Sequence, residues 1–408
     1  MLEFFIDPVL RAPTIGSMLM CFSSGLIGCL VFLQKRSLVG EALSHASYPG
    51  VVLGVILAAA FAPGWIAFSI LLGAFLFGLL GLFVIDQMEK RLGISSDAAL
   101  CFVLSLFFGV GICIASGLQV THALWFRQIQ IFLFGQAATM VDSHIALYGG
   151  LTLVIAMSMI FLYRFLEILH FDSEFAKTIG MRTKTIQGIL YLLLMIAIVV
   201  GMRSVGVILM SAMLITPAAA ARQWTQKLSS FFVLAGIFGM LAGLFGNVFA
   251  VWLSRPNLSF PTGPMIVLSS TGICLFSLFF APQRGFFPRL IRIRRFQLLC
   301  RQENLLKALY KEQAIDAHPY LFWRMRMKGW IKEKKLTEEG FEEAEKLVRL
   351  HRLWEVYLVH MGQESDRVHH SAEEMEHILT PEIEKQLQSL LDHPKRDPHE
   401  QPIPGASR

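Results

Sequence analysis

Charge is scarce in this chain of 408 residues: Asp, Glu, Lys and Arg together make up 16% of it, while 54% is hydrophobic. A soluble enzyme carries about a quarter charged residues, so the composition excludes that class and gives a membrane protein. There is no GxxxxGK[ST] run. A P-loop cradles the phosphates of ATP on its backbone N–H groups, and without one no nucleotide is expected on this chain. Paired cysteines are missing too. The six present, Cys21, Cys29, Cys101, Cys113, Cys274 and Cys300, are scattered with no CxxC pair, which excludes a disulfide framework or thiolate zinc site and leaves buried thiols. The apolar runs contain very few ionisable groups, whereas a proton-driven carrier often buries several along its path. Any driving energy must then come from a partner or a gradient. Finally, no cleavage site follows the first apolar run, whose lead holds only Glu3, Asp7 and Arg11 as charges. It reads as a retained span, not a signal peptide.

What is present divides near residue 284. Ahead of it lie nine apolar runs, at roughly 15–34, 48–63, 64–85, 97–117, 144–164, 186–202, 205–221, 230–253 and 262–281, most of them near the 20 residues a span needs. Beyond it the chain turns charged and helix-forming. The expected fold class is all-α: a polytopic membrane helix bundle of about nine spans over 1–283, a basic juxtamembrane linker over 284–302, and a small, mainly helical, winged-helix-like domain over 303–408. Alternate connections carry the bases: Lys35 and Arg36; Lys90 and Arg91; Lys177, Arg182 and Lys184; Arg222 and Lys227; then Arg284, Arg289, Arg292, Arg294 and Arg295. By the positive-inside rule these face the cytoplasm, which puts the N-terminus outside and the C-terminal domain inside. The closing arginine cluster is expected to meet membrane lipid.

The segment Phe171 to Met181, FDSEFAKTIGM, has the form of a short helix between two spans, with Asp172 or Ser173 as N-cap and Gly180 as stop. An ordinary amphipathic connector would look the same. The segment also resembles the coupling helix of the ABC-type permeases that import manganese, zinc or iron, and KRSLVGEALSHASYPGVVLG (Lys35 to Gly54) and SVGVILMSAMLITPAAAAR (Ser204 to Arg222) resemble the same family in the same order. The resemblance implies a multi-pass permease of the bacterial cytoplasmic (inner) membrane, paired with a second permease chain of the same or a related kind. A separate ABC ATPase subunit would drive it, gripping Phe171, Asp172, Phe175, Ala176 and Gly180, and an extracytoplasmic metal-binding protein would feed it. For the metal in transit the candidates are Glu41 and His45, one helical turn apart at the inner end of the second span, and then Asp142 and His144 at the outer start of the fifth. A polar cap on a helix start is the competing reading of the first pair.

The C-terminal region holds VHHSAEEMEH, Val368 to His377, which sets His369, Glu373 and His377 four residues apart on one helical face with Glu376 beside them. Two imidazoles and two carboxylates within about two turns suit a divalent first-row metal. His351 and Glu355 repeat the spacing just upstream, and a solvated polar helix is the alternative for both. A basic helix and ribbon, with Arg324, Arg326, Lys328, Lys332, Lys334 and Lys335, suits phosphate contact on a duplex, although such a run is also an ordinary solvated face. LTEEGFEEAEKLVRLHRLWEVYLVHMG, VHHSAEEMEHILTPEIEKQL and HPKRDPHEQPIPG are similar to the metal-dependent repressors of the diphtheria-toxin-repressor and manganese-repressor type. That resemblance implies one metal site of His351, Glu355 and His369, a second of Glu373, Glu376 and His377, and operator DNA as a partner. The sequence departs from the family twice. The interval from Tyr310 to Gly329 is one helix short, and the opening helix offers Asn304, a poor ligand, with Glu303 adjacent.

Oxygen and imidazole donors favour Fe(II) or Mn(II) as the divalent metal of this domain. Both resemblances on one polypeptide are similar to the Ytg-type iron permeases with a fused repressor domain, which ranks iron ahead of manganese and zinc. A tethered repressor searches a chromosome poorly, so cleavage in or near Arg284 to Gln302 is expected to release a soluble regulator. The competing expectation keeps the domain attached as a sensor that inhibits transport and never binds DNA.

Overall fold

The computed structural model of the chain describes residues 3–61, 65–255, 260–313, 318–333, 335–364, 368, 372, 375 and 377–405. They fall into two compact units, Met1–Pro288 and Arg289–Arg408. The first contains α1 (Glu3–Ile6), α2 (Pro8–Leu33), α3 (Leu38–Phe61), α4 (Ile66–Arg91), α5 (Ser96–Thr121), α6 (Ala123–Phe134), α7 (Asp142–Phe171), α8 (Ser173–Thr178), α9 (Thr183–Val205), α10 (Val207–Trp224), α11 (Leu228–Leu253) and α12 (Thr262–Phe280). Among the described residues nine of these, α2 to α5, α7 and α9 to α12, are long and apolar enough to cross a membrane. Each of the nine apolar runs in the sequence has become one of them.

Two local readings shift. The second span begins at Leu38, ten residues ahead of its apolar run, so Glu41 falls in the first turn of the helix and His45 one turn further in. The helix tolerates its polar stretch because Ser44 and Ser47 donate back to the carbonyls of Gly40 (2.6 Å) and Leu43 (2.9 Å), which satisfies both hydroxyls locally. The second shift is α6, twelve residues too short to span, where the sequence suggested only a connection.

In lipid no hydrophobic force draws helices together, so close packing over small residues does that work. At the crossing of α3 and α4 a Cβ on Gly50 would lie 2.1 Å from the Gly73 carbonyl oxygen, and one on Gly73 would lie 2.3 Å from that of Gly50. Only paired glycines permit this approach. At the single-residue break between α9 and α10, Gly206 has φ of 95° and rests against the backbone of Phe134 and Gly135. Polar side chains in the bundle meet one another: Tyr148 and Ser204 at 2.7 Å, Ser23 and Thr152 at 2.8 Å, and Asn247 with Ser17.

The second unit is built from α13 (Phe286–Tyr310) from Arg289 onward, α14 (Pro319–Met327), the antiparallel pair β1 (Ile331–Lys332) and β2 (Lys335–Leu336), α15 (Glu338–His360) and α16 (Pro381–Leu390). The stretch 284–302, expected as a linker, is helical from Phe286, and Pro288 sits in the first turn where no N–H partner is needed. Leu305, Leu306, Met325, Ile331, Ala344 and Leu347 form the core of this unit. Among the described residues α14 is the one helix between Tyr310 and Gly329, and the wing is reduced to two residues per strand.

Gly50→Val inserts a branched side chain where the α3–α4 backbones touch. It is expected to cost about 2 kcal/mol and to lower the melting temperature of the purified protein, whereas Gly109→Ala, whose new Cβ meets nothing within 4 Å, leaves it unchanged. Equal melting curves for the two would contradict the crossing described.

Candidate metal centres

In the second unit, α15 starts at Thr337, whose hydroxyl accepts the N–H of Gly340 at 3.1 Å, and two acids fill its first turn. From this start Gly340, Ala344, Leu347, Val348, His351 and Glu355 recur at helical spacing and are all buried. The stripe that packs the core therefore carries two ionisable side chains at its C-terminal end. His351 Nε2 stands 3.2 Å from Glu355 Oε1, with the residues 4% and 2% exposed. Two ligand atoms about 2.1 Å from one metal and at right angles are about 3.0 Å apart. The pair fits one edge of an octahedral site.

A cavity of about 100 Å³ opens beside this pair, lined also by Lys307, Lys311, Arg352, Asp397, His399 and Gln401. Its outer wall is the closing turn of the chain. There Asp397 accepts the N–H groups of His399 (2.9 Å) and Gln401 (2.8 Å), and the Ile403 N–H reaches the Lys395 carbonyl at 2.9 Å. Arg352 fastens the turn to α15 through Asp397 (3.4 Å), Gln401 (2.7 Å) and the Pro402 carbonyl. The role of Asp397 was hidden in HPKRDPHEQPIPG, where it reads as one more polar residue of a coil.

A second imidazole–carboxylate contact joins the opening helix to the segment after α15. His377 Nδ1 lies 2.6 Å from Glu303 Oε2, both side chains largely buried. The sequence placed Asn304 at this position as a poor ligand; in the fold its neighbour Glu303 supplies a carboxylate there. The available signal was Glu303 falling three residues before the buried Leu306, on the inward side of α13. Of the other expected ligands, His369, Glu373 and Glu376 lie outside the described residues. Among the described residues no three His, Cys, Asp or Glu side chains converge. The two pairs suit a hard-to-borderline divalent ion by donor type and burial.

The basic residues expected at a duplex are dispersed over α14 and the wing. Arg326, Lys328, Lys332 and Lys335 are exposed, Arg324 approaches the Tyr320 hydroxyl at 3.4 Å, and Lys328 sits 4.1 Å over the Trp330 ring. Lys334 lies outside the described residues.

In the first unit His45 is 7% exposed, and its Nδ1 has no hydrogen-bond partner among the described residues. Its ring lies edge-on to Phe108 at 4.4 Å. Four residues on, Pro49 sits inside α3. A proline has no N–H to give the carbonyl four residues back, so the His45 carbonyl also lacks its helical donor. Glu41, half-buried, is one turn away. At the start of α7, Asp142 pairs with Arg11 at 2.6 Å on the surface, and His144 Nδ1 accepts the Val141 N–H at 3.0 Å.

Between α7, which ends at Phe171, and α9, the short helix α8 has the form read from the sequence. Asp172 accepts the N–H groups of Glu174 (3.0 Å) and Phe175 (2.9 Å). At its end the Gly180 N–H reaches the Lys177 carbonyl and the Met181 N–H that of Ala176, with Gly180 at φ of 77°, the Schellman arrangement. Ala176 is buried, and Phe175 and Ile179 stand out into solvent.

Residues 6–281 match the ABC 3 transport family, and residues 337–405 match the iron dependent repressor, metal binding and dimerisation domain. A probable metal transport system membrane protein of Chlamydia trachomatis serovar D is 33% identical over 99% of this chain and 98% of its own length. The manganese transport system membrane protein MntC of Bacillus subtilis is 33% identical over 92% of this chain and 90% of itself. Among solved structures, PsaBC from Streptococcus pneumoniae in complex with Fab aligns at a TM-score of 0.61 with 30% identity, covering 72% of this chain and 100% of that one.

Proposed function

The chain belongs to the ABC 3 transport family, and on that premise we propose that it admits a first-row divalent metal and senses the same metal with its C-terminal unit. It is a multi-pass permease of an ABC metal importer carrying a repressor-type metal-binding domain. The reading of a shared metal is carried by the two buried imidazole–carboxylate contacts, His351 with Glu355 and His377 with Glu303. In this reading His351 and Glu355, with His369, hold one ion, and His377 and Glu303, with Glu373 and Glu376, hold the other. A bound ion would tie α13, α15 and the segment after it together by neutralising carboxylates that otherwise repel. The oxygen and imidazole donors suit Fe(II) and Mn(II) over soft metals, and the resemblance to iron permeases with a fused repressor domain ranks iron ahead of manganese and zinc.

In the membrane unit Glu41 and His45 receive the cargo. A dehydrated cation needs oxygen and nitrogen donors along its path; His45 offers its imidazole and the carbonyl that Pro49 leaves without a helical donor, and Glu41 offers a carboxylate one turn earlier on α3. An ATPase on a separate chain acts through α8, where Phe175 and Ile179 are the exposed apolar contacts. An extracytoplasmic metal-binding protein delivers the metal, and a second permease chain completes the pore. The basic connections put the C-terminal unit on the cytoplasmic side.

The metal-loaded C-terminal unit, once released from the membrane, binds operator DNA through α14 and the wing. A second reading is favoured by one observation: the stretch expected to be cut is helical from Phe286 to Tyr310, and proteases prefer unstructured chain. In that reading the unit remains attached and inhibits transport directly.

Glu41→Ala and His45→Ala are each expected to reduce metal uptake by about tenfold or more at unchanged membrane levels, since each removes a donor from a dehydrated ion; normal uptake in both would take them out of the path. A fragment starting at Arg289 is expected to retard the importer's own promoter DNA in a gel only when Fe(II) or Mn(II) is present. No metal-dependent retardation, with metal still bound by the fragment, would favour the attached sensor.

A further inference from the structure

We infer that the outward face of α14 is a docking surface for an anionic phospholipid bilayer. The helix packs inward through Met325, which is fully buried, with Leu321 and Phe322 against the core of its unit. Its other side presents Tyr320, Trp323 and Met327, 46%, 59% and 71% exposed. Their i, i+3, i+7 spacing places them on one stripe. A soluble surface seldom displays large apolar groups contiguously unless something covers them.

Charge identifies the cover. Residues 318–336 contain six bases and a single acid, Glu333. Exposed Arg326, Lys328, Lys332 and Lys335 flank the aromatic stripe. Trp and Tyr settle at the level of lipid headgroups, and Lys or Arg beside them is drawn to anionic lipid. Base edges are read mainly by hydrogen bonds from Arg, Lys, Asn, Gln, Ser or Thr, with Ala, Thr or Phe touching a thymine methyl, whereas the most exposed side chains of this stripe, Trp323 and Met327, offer one indole N–H and one thioether. The stripe therefore suits a bilayer better than a groove of DNA.

The same unit carries a second element of this kind. In the first half of α13 the exposed Ile291, Ile293 and Phe296 lie among Arg289, Arg292, Arg294 and Arg295. Only five residues separate Phe286 from the end of α12 at Phe280. Covalent attachment to a membrane bundle gives the unit a high effective concentration at the bilayer, so a modest interfacial affinity is enough to occupy the α14 face. This inference does not depend on the DNA-binding reading, but it predicts competition with it, because the basic rim is shared.

The test places the full-length protein in nanodiscs of phosphatidylcholine alone and of phosphatidylcholine with phosphatidylglycerol, and follows amide hydrogen exchange in residues 319–328. Exchange is expected to slow by about tenfold in the anionic discs. In Trp323→Ser/Met327→Ser the slowing is expected to vanish, with exchange in α15 unchanged as a control for folding. Equal rates in both lipids, slowing that survives the double substitution, or slowing that appears only when duplex DNA is added would each overturn the proposal.

Discussion

Where water is excluded, a polar group without a partner is costly, and this constraint organises both units of the protein. In the bundle many polar side chains are paired nearby, as in Tyr148 with Ser204 or the serines of α3 with carbonyls one turn back, while Glu89 Oε1, Ser96 Oγ, Trp224 Nε1 and Ser269 Oγ are buried without a hydrogen-bond partner among the described residues. His45 departs from that pattern twice, through an unpartnered imidazole nitrogen and a carbonyl that Pro49 leaves without its donor. Under the proposed transport role, a passing ion supplies the partner that His45 lacks. The paired glycines of α3 and α4 serve the same region, because they hold the helix carrying His45 tightly against its neighbour.

In the C-terminal unit the constraint acts on charge. Glu355 and His351 are taken out of water together, and so are Glu303 and His377. Burying such groups is tolerable only when they are paired or coordinate a metal. Both contacts join elements distant in sequence or fix the end of a core helix, so occupancy by a metal bears on how firmly the unit is assembled. The turn held by Arg352 closes the first of them from outside.

The span count and the form of the α8 helix were legible in the sequence, since hydropathy and capping are local properties. The start of α3 was not. Apolarity reports which residues lipid accepts, whereas Ser44, His45 and Ser47 face protein and so extend the helix beyond its apolar run. The short helix α6 was missed because it is not long enough to span. At the metal centres the spacing of His351 and Glu355 was visible, but Glu303 was passed over for its neighbour Asn304, because a register of one residue on α13 is decided by packing. The contribution of Asp397 depends on a turn that folds back over α15, a tertiary arrangement with no local signature.

The central claim is that one polypeptide passes and senses the same metal. The most direct measurement is equilibrium binding of radioactive iron, manganese and zinc to the purified full-length protein and to its His351→Ala/His377→Ala variant, set beside the order in which cells expressing the importer take up the three metals. The double substitution is expected to abolish the tight binding, and the order of affinity to match the order of uptake. Binding undiminished in the variant, or an order of affinity opposite to that of uptake, would contradict it.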